Sequence, residues 1–219
     1  MAQLKKLGPR KEAIVALVPS CERAAEIGAD HGLISAGILA AGRCREMLVC
    51  DISAASLQKA RRLFVSLGWE ARVRFAVADG LDAVEEGVGA IVVAGMGQQT
   101  MTEILDRGQE RIGGAPLVLQ ANTRVAALRA WLCAHGFLIE AESLVLEEGR
   151  YYVVLRAGRG DEPLNEGQML LGPRLLEQWP PLFEAYLRHQ LACARVGQSQ
   201  VEQRRAALIA SVLEERMRR

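Results

Sequence analysis

The sequence predicts an α/β fold: a parallel sheet finished by an antiparallel hairpin, with a helical tail after it. Three observations carry that prediction. Five short apolar runs, "AAEIG", "EMLVCD", "VRFAVAD", "AIVVAG" and "PLVLQAN", recur in order, each followed by a stretch long enough for a helix, such as "ISAASLQKARRLFVSLG" or "TRVAALRAWLCAHG". Alternation of this kind implies parallel strands with helices on both faces. Two further β-like runs, "FLIEAESLVLEEG" and "RYYVVLRAG", meet at Glu147, Glu148 and Gly149, a tight turn that suits antiparallel neighbours. Beyond Asn165 the apolar residues change to helical spacing.

Taken in order, Pro9 to Val18 reads as a short amphipathic helix whose Ile14, Val15 and Leu17 cap one face of the core. Five βα steps and the hairpin then give seven strands. In "GRGDEPLN", Gly158 to Asn165, glycine, proline and charge replace the periodic pattern and mark a boundary. Phe183, Leu187, Leu191 and Ala194 recur at helix spacing, as do Val201, Leu208 and Val212 with Ile209, Leu213 and Met217 beside them. Gly197 lies between the two segments, so an antiparallel helical hairpin is expected. The expected division is residues 1–158 for the sheet domain and 159–219 for the hairpin.

The 219 residues can bury a full core, and 50% apolar, 24% charged and a net charge of +1 place the chain among globular proteins. With no global charge imbalance, any nucleic-acid site must be a local patch. The five cysteines never form a CxxC pair and read as buried small apolar residues in a reducing compartment, with no metal site. The apolar run in "MAQLKKLGPRKEAIVALVP" is broken by charge and lacks a cleavage pattern, which predicts a cytoplasmic protein. No segment approaches the roughly 18 uninterrupted apolar residues of a membrane span. A monomer is expected.

The loop after the first strand is "EIGADHG". Gly28 allows a sharp turn, Gly32 removes a side chain where backbone meets a ligand or a neighbouring element, and the helix beyond offers free N–H groups. Alone, this is a turn like many others. Asp51, with Ile52 after it, ends the second strand about 20 residues further on, where an acid can accept from two ribose hydroxyls; the competing role, capping the next helix, suits Ser53 better. Asp79 ends the third strand with Gly80 behind it, where a carboxylate can take the amine of an adenine. Three acids at the ends of three successive strands line the carboxyl edge of the sheet, where open α/β folds bind ligands.

That series of acids, with the terminal hairpin, resembles the class I S-adenosylmethionine-dependent methyltransferases. A dinucleotide reading is poorer, because Asp30 would push negative charge toward a pyrophosphate, whereas an acid-rich pocket suits a sulfonium cation. The fourth strand leads into Ala94, Gly95, Met96 and Gly97 instead of the Asn/Asp-Pro-Pro-aromatic motif of many amino-directed enzymes. Together, "AEIGADHG", "VADGL", "IVVAGMG", "LVLQAN" and "LVLEEGRYYVVL" closely resemble the TrmK family of bacterial methyltransferases acting on N1 of adenine 22 in tRNA. The resemblance runs from about Pro9 to Leu155 and more loosely into the tail. It departs at Ala121, where the family pattern has proline, and at Gln98 and Gln99, which replace a second glycine pair.

The resemblance implies a Rossmann-like catalytic domain with a C-terminal coiled-coil hairpin, and S-adenosyl-L-methionine as cofactor. Its cofactor residues would be Glu26, Gly28, Gly32, Asp51, Ile52, Asp79, Gly80, Gly95 and Met96. Asp30, His31 and Asn122 would be catalytic: Asp30 would stabilise the cationic product or hold the adenine amine, and His31 would orient Asp30 or stack on the substrate. Gln120 and Asn122 could hydrogen-bond the flipped base or satisfy loop backbone instead. For tRNA, Lys5, Lys6, Arg10 and Lys11 form one basic group and the tail another, with Arg188, Arg195, Arg204 and Arg205 as the named contacts. From residue 186 onward seven arginines, ending at Arg216, Arg218 and Arg219, face three glutamates, a local balance of +4. Two other readings are weighed against this one, a noncatalytic RNA-binding module and a small-molecule methyltransferase.

Overall fold

The computed structural model describes residues 4–218, so Arg219 lies outside the described residues. The chain opens with α1 (Pro9–Leu17), whose leading proline has no N–H to leave unpaired in the first turn. The sheet domain follows as β1 (Arg23–Ile27), α2 (Leu33–Ala40), β2 (Glu46–Asp51), α3 (Ala54–Leu67), β3 (Val73–Val77), β4 (Ala90–Met96), α4 (Gln98–Arg107), α5 (Gln109–Ile112), β5 (Leu117–Ala121), α6 (Val125–Ala134), β6 (Phe137–Glu147) and β7 (Arg150–Arg159). Ser53 caps α3, its hydroxyl accepting from Ser56 N–H at 3.2 Å, which leaves Asp51 available for other contacts.

The seven strands lie in the order β3-β2-β1-β4-β5-β7-β6. Parallel pairing holds from β3 through β5, and β7 runs antiparallel to both its neighbours. The strand order reverses between β1 and β4, and in open α/β sheets the crevice at that reversal is where ligands bind. Because helices cover both faces, the central strands are buried almost without interruption. One face packs Ile27, Leu48, Ile91, Leu105 and Leu119 together. The other packs Ile14, Ile38, Met47, Phe64 and Val118. In α1, Ala13, Ile14 and Val15 are the buried positions, with Leu17 half-buried.

The hairpin between β6 and β7 has Glu148 at φ +50° and Gly149 at φ +75°. Positive φ at both central residues is the turn that matches the twist of two antiparallel strands. One expectation fails: no helix follows β3. Residues 78–89 pass to β4 through turns, with Gly80 at φ +54° and Gly87 at φ +82°, conformations that end a right-handed helix. Leu81 and Val84 from this link are buried and take the place of a helical face.

After β7 come α7 (Glu166–Leu171), α8 (Pro173–Gln178), α9 (Phe183–Val196) and α10 (Gln200–Met217). The last two form the expected hairpin, with Gly197 ending α9 and Ser199 capping α10. The two short helices before them were not foreseen. Asn165 opens α7 with a capping box, its side chain accepting from Gln168 N–H while the Gln168 side chain accepts from Asn165 N–H. Phe183, Leu187, Ile209 and Leu213 pack on Leu144 and Val153, so the hairpin seats on β6 and β7. Val201 and Met217 fall off that face and are exposed, unlike the regular stripe expected of α10.

The cysteine expectation also needs correction: Cys44 and Cys50 are buried, Cys21 and Cys133 are half-buried, and Cys193 is exposed on α9. No helix among the described residues is long and apolar enough to cross a membrane.

Candidate active site

The loop leaving β1 alternates into the left-handed region, with φ of +72° at Gly28, +44° at Asp30 and +69° at Gly32. Gly28 and Ala29 donate their N–H groups to the Cys50 carbonyl at 2.9 and 3.0 Å, which ties the loop to β2. A side chain on Gly32 would meet Ala60 and Phe64 of α3 at 3.0 Å, so the close approach of that helix already disfavours any larger residue here. A side chain on Gly28 would likewise meet Met96 at 3.0 Å.

Glu26 reaches from β1 to the start of α2. One carboxylate oxygen, Oε2, accepts from Ser35 N–H at 2.9 Å and from the Ser35 hydroxyl. The free N–H of the helix start is therefore held by the protein's own acid. Burial pushes the Glu26 carboxyl up to about 7; the Ser35 hydrogen bonds oppose this, and Asp51 and Asp30 add to it.

Asp51 at the end of β2 accepts from Ser53 N–H at 2.8 Å through Oδ1 and from Asp30 N–H at 3.0 Å through Oδ2. Each oxygen keeps a second lone pair for a hydroxyl. Ile52 beside it is 72% exposed, a large apolar side chain open to a flat apolar partner. Asp79 lies two residues past the end of β3, not at the strand end as expected, in a two-point ion pair with Arg107 at 2.7 and 3.0 Å, and that guanidinium holds its carboxyl below the usual range. The sequence reading assigned Asp79 to the amine of an adenine and gave it no protein partner. The pair was not foreseen because Arg107 lies 28 residues away on α4.

β4 ends in a bulge between Ala94 and Met96, with Gly95 at φ +82°. The Gly95 carbonyl accepts from Asn122 Nδ2 at 2.8 Å, and Asn122 N–H donates to the Met96 carbonyl at 2.8 Å. Ala121 stays within β5, paired with Met96, so the ladder fixes this backbone without the proline of the resembled family. Gln120 is fully buried; its Nε2 donates to Asn122 Oδ1 at 3.1 Å and its Oε1 accepts from Arg10 Nη1 at 3.1 Å.

A cleft of about 930 Å³ joins these groups. Glu26, Gly28, Asp30 and His31 line one side, with Gly95, Gln120 and Asn122 beside them. Arg10, Arg150, Tyr151, Tyr152 and His189 complete the lining. His31 Nδ1 lies 2.5 Å from Asp30 Oδ2, and both side chains are more than half exposed. Gly32, Asp51, Ile52, Asp79, Gly80 and Met96 stand outside this cleft, although Asp30 connects it to Asp51.

These last lining residues escaped the sequence reading as parts of the site. Arg10 was expected at phosphate, yet it pairs with Glu147 (Nε to Oε2, 3.4 Å), bonds Gln120 and lies over the Tyr152 ring at 5.1 Å. Two adjacent tyrosines in a chain with three were the available signal for this part of the lining. Of the tail arginines, Arg188 pairs with Glu184 at 2.8 Å and Arg204 with Glu166 at 2.7 Å. Arg205 bonds Gln190, which itself lines the cleft, while Arg195 makes no ion pair among the described residues.

The comparisons with known proteins bear on this geometry. A methyltransferase domain profile matches residues 7–155. The chain belongs to that methyltransferase family. Within it, the chain is 27% identical over 187 residues to the tRNA (adenine(22)-N(1))-methyltransferase of Bacillus subtilis, covering 81% of this chain and 78% of that one. It is 30% identical over 159 residues to a candidate tRNA methyltransferase of Mycoplasma pneumoniae, covering 69% and 71%. The fold of this methyltransferase superimposes with a TM-score of 0.89 on the crystal structure of a candidate tRNA (m1A22) methyltransferase from Streptococcus pneumoniae in complex with S-adenosyl-L-methionine, at 27% identity over 95% of this chain and 100% of that one.

Proposed function

We propose that this methyltransferase transfers a methyl group from S-adenosyl-L-methionine to N1 of adenine 22 in tRNA. The observation that carries the reading is the cleft at the β1–β4 reversal, which joins the acid-bearing loop of Glu26 and Asp30 to the amides of Gln120 and Asn122 in a chain related to enzymes of that name. The exposed Ile52 beside the Asp51 carboxylate fits an adenosine, and buried Glu26 fits a cationic amino-acid end. The cofactor, when bound, supplies an electrophilic methyl on a sulfonium.

Adenine N1 carries its own lone pair, so the protein has no proton to remove before attack. The N1–C bond forms as the C–S bond breaks, and positive charge moves from sulfur to the purine. Positioning and electrostatics then supply the catalysis. Asp30 holds a negative charge at the cleft edge for the charge that develops, and His31 orients it through their short hydrogen bond. Asn122 Oδ1, and the second lone pair of the Gly95 carbonyl that already accepts from Asn122 Nδ2, offer acceptors to the exocyclic amine. Tyr151 and Tyr152 give an extruded base a flat surface, against an unstacking cost of a few kcal/mol.

Lys11, Arg150 and Arg195 make no ion pair among the described residues and supply charge for phosphates. Residues 1–158 would perform the chemistry and 159–219 would contact tRNA, with the protein acting as a monomer in the cytoplasm. Incubating the purified protein with unmodified tRNA and S-adenosylmethionine, then mapping nucleosides by mass, tests the proposal. Methyladenosine at position 22 is expected. Binding of tRNA without turnover would replace the proposal with a noncatalytic role, and undiminished methylation of small molecules after deletion of 160–219 would redirect it to another substrate.

A further inference from the structure

Four groups from three distant parts of the chain form one line of hydrogen bonds. Arg10 Nη1 donates to Gln120 Oε1 at 3.1 Å, Gln120 Nε2 donates to Asn122 Oδ1 at 3.1 Å, and Asn122 Nδ2 donates to the Gly95 carbonyl at 2.8 Å. An amide can be turned over at little cost unless its partners forbid it. Here both ends forbid it. A guanidinium only donates and a backbone carbonyl only accepts, so reversing either amide sets donor against donor or acceptor against acceptor.

Arg10 is itself fixed. Its backbone N–H donates to Glu147 Oε1 at 3.2 Å, its Nε faces Glu147 Oε2, and its guanidinium lies on Tyr152. Gln120 is fully buried, so no water competes for the middle of the line. Asn122, in contrast, is exposed toward the cleft, where its oxygen keeps one lone pair and its nitrogen one proton.

We propose that Arg10 is a positioning residue: through Gln120 it fixes which atom of the Asn122 amide faces the base. The inference rests on the adenine N1 reading above. Adenine presents an amine that needs an acceptor beside a ring nitrogen whose lone pair must stay free for the methyl group. With the line intact, Asn122 Oδ1 can accept from the amine. A reversed amide would point N–H groups where that oxygen stood, repelling the amine or occupying the N1 lone pair. The same polarity disfavours a base with a carbonyl and a protonated N1, such as hypoxanthine.

The decisive variant is Gln120→Glu. Its carboxylate still accepts from Arg10, so the chain stays folded, but it has no proton for Asn122. Turnover on tRNA is expected to fall by roughly ten- to a hundredfold, the range of one hydrogen bond to a charged transition state. Cofactor KM and the unfolding temperature stay near their wild-type values. Arg10→Ala should lose turnover similarly, and Arg10→Lys, which keeps a donor, should recover most of it. Wild-type turnover in folded Gln120→Glu would overturn the proposal.

Nuclear magnetic resonance separates this from failure of the adenine reading. The Asn122 side-chain amide signals, assigned by their loss in Asn122→Ala, should shift in Gln120→Glu and Arg10→Ala but little in Arg10→Lys. Should the wild type methylate no tRNA, these shifts would still support the line of bonds, and their absence would refute it.

Discussion

The N–H of Asp30 donates to Asp51 Oδ2 at 3.0 Å while Asp30 itself sits at φ +44°, so the acid after β1 and the acid after β2 form one unit. Asparagine and aspartate tolerate the left-handed region, whereas alanine pays for it at about 1–2 kcal/mol. The three obvious substitutions therefore separate. Asp30→Asn keeps the backbone and removes the charge, Asp30→Gly keeps the backbone and removes the side chain, and Asp30→Ala adds strain. Single-turnover methylation should fall by about ten- to a hundredfold in Asn and Gly variants that melt like wild type. Only Asp30→Ala should also melt earlier. Full turnover in Asp30→Asn would remove Asp30 from the chemistry.

Glu26 gives a pH dependence with a definite sign. Its carboxyl is raised from 4.5 to about 7 by burial, so the folded chain holds a proton that the unfolded chain has released. The stability this group contributes is complete below about 4.5 and is lost as pH rises through 7, on the order of 3 kcal/mol in all. Denaturant melts at pH 6 and 8 should show the loss, and Glu26→Gln should flatten it. Binding of S-adenosylmethionine should run the other way, strengthening as Glu26 ionises against a cationic ligand. Calorimetric titration of both proteins subtracts the ligand's own ionisation, and parallel pH curves would show that Glu26 does not meet the cation.

The strand series and the three acids were legible because each is a local pattern: an apolar run, a glycine turn, a carboxylate at a strand end. Even the two-residue hairpin could be read from Glu148 and Gly149. What escaped was set by long-range partners. Nothing near Arg10 in the sequence shows that it will meet Gln120, 110 residues away, and a basic residue read alone looks like a phosphate ligand. Asp79 and Arg107 are the same case. The missing helix after β3 was a local error, since Gly80 and Gly87 were visible and, with the buried Leu81 and Val84, were enough to close the crossover. Gly28 was read as a sharp turn and Gly32 as a point of close approach, but the side chains that a Cβ would meet belong to Met96 and α3, which only the fold brings there.

Arg129 and Glu142 form a fully buried ion pair, Nε to Oε1 at 2.8 Å, and Arg129 Nη1 also donates to the Met169 and Leu170 carbonyls at the end of α7. The pair joins α6 and β6 to the start of the tail. Removing one partner leaves the other charge buried, which costs about 3–5 kcal/mol. Arg129→Met and Glu142→Leu should each lower the melting temperature sharply, and the double variant should recover part of the loss. Gly172 belongs to this cluster: at φ +104°, a side chain there would lie 2.5 Å from Glu142 Oε2 and 2.8 Å from Arg129 Nη2. Gly172→Ala should therefore destabilise as well. A double variant no better than the worse single one would mean that the carbonyl bonds, and not the charge pairing, dominate.

The tail arginines should not contribute equally to tRNA binding. Arg188 and Arg204 are already neutralised by Glu184 and Glu166, so a phosphate gains less from either than from Arg195, which makes no ion pair among the described residues. A contact with phosphate releases counterions, and losing it reduces the salt slope of binding by about 1. Titrating tRNA across a range of salt, Arg195→Ala should weaken binding and flatten that slope more than Arg188→Ala or Arg204→Ala. Glu166→Gln offers the complementary reading, because it releases Arg204 and should strengthen binding while steepening the slope. If all three arginine variants bind alike at every salt concentration, the phosphates meet another surface, and Lys11 and Arg150 at the cleft are the next cations to replace.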